Sequence, residues 1–343
     1  MSNAGMTQDA VPRINGVARP ADAPRAAAAD VPRTPSSKPA PATSKSNGHT
    51  RSLPEICYVL RRKVTAFLDE QPGDDGLLRD TQAQARIAMG VIEEALHRYG
   101  PDELSLAYNG GKDCLVLLIL ILACLPALLP PASSSSSSST STTTPTSTST
   151  NTTTDPAEQQ EQKPAPQNGT PSSLSSVETV PAPPQPLQAI YIAPPDPFPE
   201  VEEFVATSTR EYHLDLVRYG LPMRRALEAY LGDRPAVRAI FMGTRRTDPH
   251  SEFLAHFSPT DADWPQFMRV NPLLDWHYAE IWTFIRHLEL SFCCLYDQGF
   301  SSLGGMTNTR PNPALALDGS GGKAFRPAYE LVRDDEERLG RDR

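Results

Sequence analysis

Residues 103–118 read ELSLAYNGGKDCLVLL, and this stretch decides the fold class of the chain. A short apolar run ends at Tyr108, a turn of one Asn and two Gly follows, and a long apolar block begins after Asp113. The pattern predicts a strand, a tight loop and a buried helix in direct succession. At the mouth of this unit Lys112 and Asp113 stand side by side. The presence of a cation and an anion at such a turn has to be explained by what they contact.

Strand and helix patterns alternate on both sides of this unit. Alternation of this kind implies parallel pairing with right-handed crossovers, so the sequence predicts an α/β fold with a doubly wound, mostly parallel sheet. A later helix is predicted to be capped by Asp275 and to turn Ile281 and Phe284 to the core. The other predicted elements are helices at 53–68, 79–99, 112–129, 199–212 and 223–231 and strands at 187–193, 214–219 and 236–243.

Two stretches of the 343-residue chain have compositions that cannot build a core. Residues 1–50 are rich in Ala, Pro, Ser, Thr and Arg, and residues 130–186 contain seven consecutive serines followed by Thr/Ser repeats. Such segments bury too little apolar surface to offset a chain entropy of about 1–2 kcal/mol per residue. We therefore predict a disordered N-terminal arm at 1–50, a disordered low-complexity insert at 130–186, and a single folded domain built from 51–129 and 187–343, with a C-terminal extension.

Charge and cysteine content narrow the class of protein. The net charge of −9 disfavours nonspecific binding to nucleic acid or to an anionic membrane. The apolar stretch 115–129 is shorter than the roughly 20 residues that span a bilayer, so a buried helix is predicted there. The five cysteines show no metal-ligand spacing, and the N-terminus has no apolar signal segment. The sequence predicts free thiols and a cytoplasmic protein with no nucleic-acid or membrane partner.

The loop at 109–113 matches neither of the common glycine-rich phosphate motifs. A Walker A loop needs a glycine at position 106, which is Leu, and the Gly-x-Gly-x-x-Gly fingerprint is absent. The loop still has the chemistry of a phosphate-binding site. The glycines let a ligand approach the backbone closely, the N–H groups at a helix N-terminus attract anions, and Lys112 adds a cation. Asp113 would repel phosphate by about 4 kcal/mol at a distance of about 4 Å. It is therefore either a magnesium ligand, directly or through water, or an N-terminal helix charge.

A second loop, GTRRTDPH at 243–250, repeats the combination of cations with a carboxylate. Here Arg245, Arg246 and Asp248 follow a predicted strand. Ligands of doubly wound sheets bind at the carboxyl ends of the strands, which places this loop opposite the first one. A solvated arginine pair is the alternative interpretation. Two such loops at neighbouring strand ends predict a pocket for a polyphosphate and a divalent ion.

Five motifs in chain order carry a resemblance to a known family. They are YNGGKDC, GTRRTDPHS, DWPQFMRVNPLLDW, CLYDQGFSSLGG with NPAL, and PAYELVRDDEERLGR. The strand–NGGKDC–helix unit resembles the modified PP-loop of ATP pyrophosphatases with the PAPS reductase-like fold. The whole set, over nearly all of 80–129 and 187–343, resembles the eukaryotic, fungal-type FAD synthetases, which are FMN adenylyltransferases. The insert departs from the compact family pattern, but it follows the first helix after the loop and is expected to leave the site intact.

The resemblance implies a reaction and its components. AMP would pass from ATP to FMN, giving FAD and pyrophosphate, with Mg²⁺ as cofactor. The FMN phosphate would attack the α-phosphorus in line, so no covalent nucleophile is needed. Flavoprotein acceptors of FAD are candidate partners, and no oligomeric state is predicted.

The same resemblance assigns roles to individual residues. The expected ATP-binding residues are Asn109, Gly110, Gly111, Lys112, Arg245 and Arg246. The expected catalytic residues are Asn109, Asp113, Asp248 and Arg269, with Asp113 and Asp248 as magnesium ligands and Arg269 neutralising charge near the reacting phosphates. The expected FMN-binding residues are Arg338, Arg341, Asp261 and Trp264. A place in the core is the competing interpretation for the tryptophan, and a solvated position is the competing one for the C-terminal arginines.

Two other classes of protein compete with this interpretation. The first is another PP-loop enzyme, either a PAPS reductase or a thiolating ATP pyrophosphatase. A reductase needs a reactive cysteine near the C-terminus, whereas the last cysteine is Cys294, and a thiolating enzyme needs cysteine pairs at metal spacing. The second is a non-catalytic nucleotide-binding module that acts through its disordered arms. Intact Lys112, Asp113, Asp248 and Arg269 argue against such a module.

Overall fold

A computed structural model describes residues 51–125, 185–317 and 324–342. All of them belong to the unit that runs from Thr50 to Arg343. The N-terminal arm predicted at 1–50 lies outside the described residues, and so does the predicted insert at 130–186 except for its last two positions. The last four residues of the helix predicted at 112–129 also lie outside them.

Six strands form one sheet in the order β3-β2-β1-β4-β6-β5. All neighbouring pairs are parallel except β5 with β6, which confirms the mostly parallel, doubly wound α/β fold. The predicted strands β1 to β4 are present, and β5 and β6 are additional strands of three residues each at one edge. The strands are β1 Leu104–Ala107, β2 Gln188–Ile192, β3 Asp215–Tyr219, β4 Ala239–Phe241, β5 Phe257–Pro259 and β6 Met268–Val270.

The helices pack on the sheet around one central helix, α3. Every residue of α3 from 115 to 124 is completely buried, because the helix is apolar on all sides and contacts α1, α2 and α6. Each such aliphatic side chain contributes about 1.5–3 kcal/mol by burial. No helix in the described ranges is long and apolar enough to cross a membrane. The helices are α1 Leu53–Asp69, α2 Gly76–Arg98, α3 Lys112–Cys124, α4 Pro199–Glu211, α5 Met223–Asp233 and α6 Tyr278–His287.

The start of α6 differs from the sequence-based expectation. Ile281 and Phe284 face the core as predicted, but Asp275 is not the cap of this helix. The first backbone N–H, that of Tyr278, donates instead to Asp334 Oδ1 at 2.7 Å. Asp275 lies two residues too early and pairs with Arg246 at 2.6 Å. A distant carboxylate thus satisfies the helix end and fixes the C-terminal segment to α6.

The sheet order brings the two predicted loops together. Because β1 pairs directly with β4, the segments that follow them leave the sheet side by side. An added Cβ on Gly243, just after β4, would lie 3.1 Å from both the backbone nitrogen and the sulfur of Cys114 in α3. The C-terminal segment crosses the same end of the sheet through short 3-10 turns and a bridge between Thr309 and Arg341. Three separate parts of the chain therefore meet at the carboxyl ends of the strands: the loop after β1, the segment after β4 and the C-terminal segment.

Candidate active site

A cavity of about 550 Å³ opens at the carboxyl ends of the strands. One wall is the loop between β1 and α3, a second is the region just after β4, and a third is the C-terminal segment. Its polar lining includes Asn109, Asp113, Asp248, Arg338 and Arg341. The opposite wall is apolar and contains Ile192, Pro194, Leu221 and Met223. A pocket with one charged wall and one apolar wall suits a ligand that joins phosphates to an aromatic base.

The loop between β1 and α3 requires glycine at two positions. Gly110 has a φ of +72°, and a Cβ there would come within 2.8 Å of Val205. Gly111 is the N-cap residue of α3, and its N–H donates to Asn109 Oδ1 at 2.9 Å. A Cβ on Gly111 would lie 2.9 Å from the same oxygen. The glycines therefore bring the backbone of the loop close to the cavity at the N-terminal end of α3, where the helix dipole favours an anion.

Lys112 turns its ammonium into the protein. Its side chain is 2% exposed, and Nζ lies 2.5 Å from Glu337 Oε1 and 3.1 Å from Asp113 Oδ2. Burial by itself would lower the pKa of the lysine, but the two carboxylates outweigh this effect and raise the pKa above its ordinary value. The backbone N–H of Lys112 donates to the Tyr296 hydroxyl at 2.9 Å. The cation of the loop thus neutralises buried carboxylates in this structure.

Arg245 completes a buried charge cluster together with Lys112, Asp113 and Glu337. Its side chain is 1% exposed, and Nε lies 2.8 Å from Asp113 Oδ1, a contact that is close enough for an ion pair but is not aligned as a hydrogen bond. Nη2 contacts Glu337 Oε2, and Nη1 lies 3.5 Å from Asp334 Oδ1. Two cations and two carboxylates balance each other in the cluster. Arg245 lies beneath the cavity and supports it.

Asp248 faces the cavity from the second loop. Its Oδ2 accepts a hydrogen bond from the backbone N–H of Arg245 at 2.9 Å, while Oδ1 lies 3.9 Å from Arg338. Burial raises the pKa of this carboxyl above its ordinary value, and Asp113 raises it further. Asp113 and Asp248 therefore both present carboxylate to one cavity, at a place where a bound cation would stabilise their charge.

Two arginines of the C-terminal segment lie together at the cavity. Arg338 is 43% exposed, and Arg341 donates from Nη1 to the carbonyl oxygen of Leu303 at 2.8 Å. Burial lowers the pKa of Arg341, and the neighbouring charge of Arg338 lowers it further. Nε of Arg341 is buried without a hydrogen-bond partner among the described residues. Two adjacent cations with so little compensation form a site for an anion.

Six of the sequence-predicted site residues do not line this cavity, among them Gly110 and Arg245, which are described above. Arg246 is 41% exposed, pairs with Asp275, and donates to the backbone oxygens of Glu252 and Leu254. Arg269 on β6 donates to the backbone oxygen of Pro259 at 2.8 Å. The remaining two, Asp261 and Trp264, lie in the connection between β5 and β6.

The position of Arg269 follows from the register of the sheet. Arg269 pairs with Ile240 of β4, so the two side chains share one face of the sheet. Ile240 packs there with Tyr230 of α5 in a cluster separate from the main core. The cavity, by contrast, opens at the strand ends.

Sequence reasoning did not single out Glu337 or Tyr296. Glu337 ends a run of four acidic residues at 334–337, a pattern that is typical of a solvated surface. Tyr296 reads as one aromatic residue within a loop. The sequence signal that could have found them is their position in motifs shared with the family. Tyr296 lies in CLYDQGFSSLGG, and Glu337 begins ERLGR at the end of PAYELVRDDEERLGR.

Neither a nucleophile nor a preformed metal cluster is apparent at the cavity. Cys114 lines it, but burial raises the pKa of the thiol to about 12, and the charge of Asp113 raises it further. The thiol therefore stays protonated at neutral pH. Within 51–125, 185–317 and 324–342 no group of three or more His, Cys, Asp or Glu side chains is arranged to hold a metal ion. A divalent ion would need oxygen ligands from a substrate as well.

Comparison with known proteins reveals similarity over most of the chain. Residues 220–311 match the phosphoadenosine phosphosulfate reductase domain family. A probable FAD synthase of Schizosaccharomyces pombe is 33% identical over 291 residues, which cover 84% of this chain and 90% of that protein. The flavin adenine dinucleotide synthase of Saccharomyces cerevisiae is 29% identical over 287 residues, covering 81% and 80%. The crystal structure of Candida glabrata FMN adenylyltransferase in complex with FAD and inorganic pyrophosphate superposes with a TM-score of 0.68 at 25% identity, covering 87% and 99%.

Proposed function

We infer the function from one premise: this chain belongs to the FAD synthase family with the PAPS reductase-like fold. It is an FMN adenylyltransferase, which joins AMP from ATP to FMN and forms FAD and pyrophosphate. The main observation behind the proposed mechanism is the cavity at the carboxyl ends of the strands. It combines the glycine loop at the N-terminal end of α3, two carboxylates and an arginine pair.

ATP would lie between the glycine loop and the apolar wall. Asn109, Gly110 and Gly111 would hold the phosphates, because backbone N–H groups at a helix N-terminus bind anions without a long side chain. The base would contact the apolar wall formed by Ile192 and Leu221, among others. The buried charge cluster, with Lys112 and Arg245, would keep the loop in place from below.

FMN would enter with its phosphate on Arg338 and Arg341. An oxygen of that phosphate would attack the α-phosphorus of ATP in line, forming the new P–O–P bond as the bond to pyrophosphate breaks. The arginines would hold the nucleophile and offset the repulsion between the two anionic substrates. Asp261 and Trp264 remain proposed contacts of FMN. Arg246 remains a proposed ATP contact and Arg269 a proposed catalytic residue that neutralises charge near the reacting phosphates, although neither lines the cavity.

Asp113 and Asp248 fit a magnesium ion. Both are carboxylates at the cavity, and Mg²⁺ is usually held by one or two carboxylates together with substrate phosphates and water. Oδ1 of Asp248 has only the distant guanidinium of Arg338 beside it, at 3.9 Å. The ion would neutralise charge on the leaving pyrophosphate. It would also explain why carboxylates stand in a phosphate site.

The cytoplasm is the proposed location, with flavoproteins as acceptors of the product. All five cysteines are free thiols, which suits a reducing compartment. The acidic net charge of −9 disfavours nucleic acid and anionic membranes as partners. Fractionation of cells that express the tagged full chain tests the location.

The reaction can be tested directly with the purified full chain. Incubation with ATP, Mg²⁺ and FMN is expected to yield FAD and pyrophosphate in equal amounts, separated by chromatography. Samples without magnesium, and samples with riboflavin in place of FMN, should yield no FAD. Binding of ATP without formation of FAD would instead favour another PP-loop reaction.

Arg338→Ala is expected to raise the KM for FMN by about 10- to 100-fold. The physical reason is the loss of one charge-assisted contact worth about 1.5–3 kcal/mol, at about 1.4 kcal/mol per tenfold. The KM for ATP should change by less than about threefold, since ATP binds the opposite loop. Arg333→Ala is the matched control, because Arg333 pairs with Asp335 at the surface. Equal increases in both KM values would contradict the assignment of Arg338 to FMN.

A further inference from the structure

Glu337 is a buried carboxylate at the floor of the cavity. Its side chain is only 7% exposed, although it belongs to a run of acidic residues. Oε1 lies 2.5 Å from the ammonium of Lys112, and Oε2 contacts the guanidinium of Arg245. The two oxygens of one carboxylate thus hold the cation of the first loop and the cation of the second loop.

The backbone of Glu337 is fixed by neutral hydrogen bonds. Ser301 donates from its hydroxyl to the backbone oxygen of Glu337 at 2.6 Å. Asn312 is completely buried and donates from Nδ2 to the backbone oxygen of Glu336 at 2.7 Å and to the Ser301 hydroxyl at 2.7 Å. Ser301 and Asn312 therefore fix the position of the backbone that carries the Glu337 carboxylate. The side chain has no need of water to complete its contacts.

The charge balance of the cluster depends on this residue. Without Glu337, Lys112 would keep only Asp113, at 3.1 Å, among the described carboxylates that pair with it, and Arg245 would keep Asp113 at 2.8 Å and the more distant Asp334 at 3.5 Å. Buried cations that lose a partner shift toward the remaining one, because the cost of an unpaired charge is large at low exposure. Such a shift would move the main chain of the first loop, to which Lys112 and Asp113 belong.

Glu337 also precedes Arg338 directly in the chain. Fixing one residue restricts the backbone of the next, so the position of Arg338 at the cavity depends on the anchor at Glu337. Two consecutive residues thus have different environments. The Glu337 carboxylate pairs with Lys112 and Arg245 beneath the first loop, and the Arg338 guanidinium lines the cavity.

We propose that Glu337 is a positioning residue for AMP transfer, which fixes Lys112 and Arg245 under the phosphate loop and sets Arg338 relative to that loop. This inference rests on the proposed function. Both oxygens of its carboxylate are engaged by Lys112 and Arg245, so we expect its effect to appear in the alignment of the reacting phosphates more than in their binding. Displacing reacting groups by about 1 Å can cost roughly 100-fold in rate.

The test is Glu337→Gln in the full chain, which keeps the shape and removes the charge. We expect kcat per folded protein to fall by about 30- to 100-fold, with both KM values within about threefold of the wild type. Glu336→Gln is the matched control, because its side chain contacts only Arg333 among the described cations, at 3.7 Å. Near-ultraviolet circular dichroism gives the folded fraction. A folded Glu337→Gln enzyme with wild-type kcat would overturn the proposal.

A double-mutant cycle separates positioning from a general loss of integrity. If Glu337 acts through Lys112, the Glu337→Gln change should cost less than about fivefold in kcat in a Lys112→Met background. Losses that multiply would overturn the proposal. Should Glu337→Gln fail to fold, Glu337→Asp is measured instead. It keeps the charge but is one methylene too short to reach both cations, and wild-type kcat in that variant would overturn the proposal. A wild-type enzyme that makes no FAD would refute the proposed function itself.

Discussion

Asp248→Asn is expected to lower kcat by at least about 10³-fold while the protein stays folded. The carboxylate lines the cavity, and among the described cations the one that pairs with its Oδ1 is Arg338, at 3.9 Å. An ion held there would stabilise the transition state by several kcal/mol, and about 4 kcal/mol corresponds to a thousandfold in rate. Asparagine keeps the oxygen that accepts the hydrogen bond from the backbone of Arg245, so the loop should retain its shape.

The control for Asp248→Asn is a carboxylate that does not line the cavity, that of Asp275. Asp275→Asn removes a carboxylate whose ion pair with Arg246 is exposed, and such pairs contribute about 0–1 kcal/mol. Its activity should match the wild type. The measurement is FAD formation as a function of magnesium concentration, with circular dichroism for folding. A folded Asp248→Asn enzyme with full activity would remove Asp248 from the site.

Asp113→Ala is expected to abolish detectable turnover and to destabilise the protein as well. Destabilisation is expected because both oxygens of Asp113 face buried cations, Arg245 at 2.8 Å and Lys112 at 3.1 Å. Removing one partner of a buried ion pair costs about 3–5 kcal/mol, and the partial exposure of Asp113 places the expected loss near the lower end, at about 3 kcal/mol.

Stability and activity have to be measured separately for Asp113→Ala. Urea unfolding should give a lower midpoint with an unchanged slope, which identifies a loss of stability in the native state. Residual FAD formation is then assayed at a temperature where the variant is folded. Unchanged unfolding together with lost activity would confine Asp113 to catalysis, and the reverse result would make it structural only. Because Arg245 and Lys112 outweigh the effect of burial and hold the pKa of Asp113 below its ordinary value, the contribution to stability should disappear only in acid.

The opening stretch ELSLAYNGGKDCLVLL poses a question that the structure answers. Lys112 and Asp113 pair with each other at 3.1 Å, and each has a further partner, Glu337 for the lysine and Arg245 for the aspartate. The lysine neutralises Glu337 and Asp113 inside the protein, and the glycines before it leave the backbone facing the cavity. We therefore expect the main chain of this loop to bind phosphate, with the charges beneath it supporting its geometry.

Sequence patterns alone determined the fold class, the order of the main elements and the meeting of two loops. These features follow from local causes: apolar periodicity for strands and helices, glycine at a turn with φ of +72°, and an apolar block that has to be buried. The pairing of β1 with β4 followed from the rule for parallel sheets and is confirmed. Strands β5 and β6 were missed because three residues carry too little periodicity to be recognised.

Only the tertiary structure decided which charges meet. Asp275 was the candidate cap in the local sequence, and the fold brought the distant Asp334 to Tyr278 instead. Lys112 and Glu337 are 225 positions apart, and nothing in the local sequence of either specifies the other. An ion pair depends on distance and burial in three dimensions, whereas a helix or strand depends on its own neighbours. The sequence therefore determines the elements and the loop, and the folded chain determines which side chains hold that loop in place.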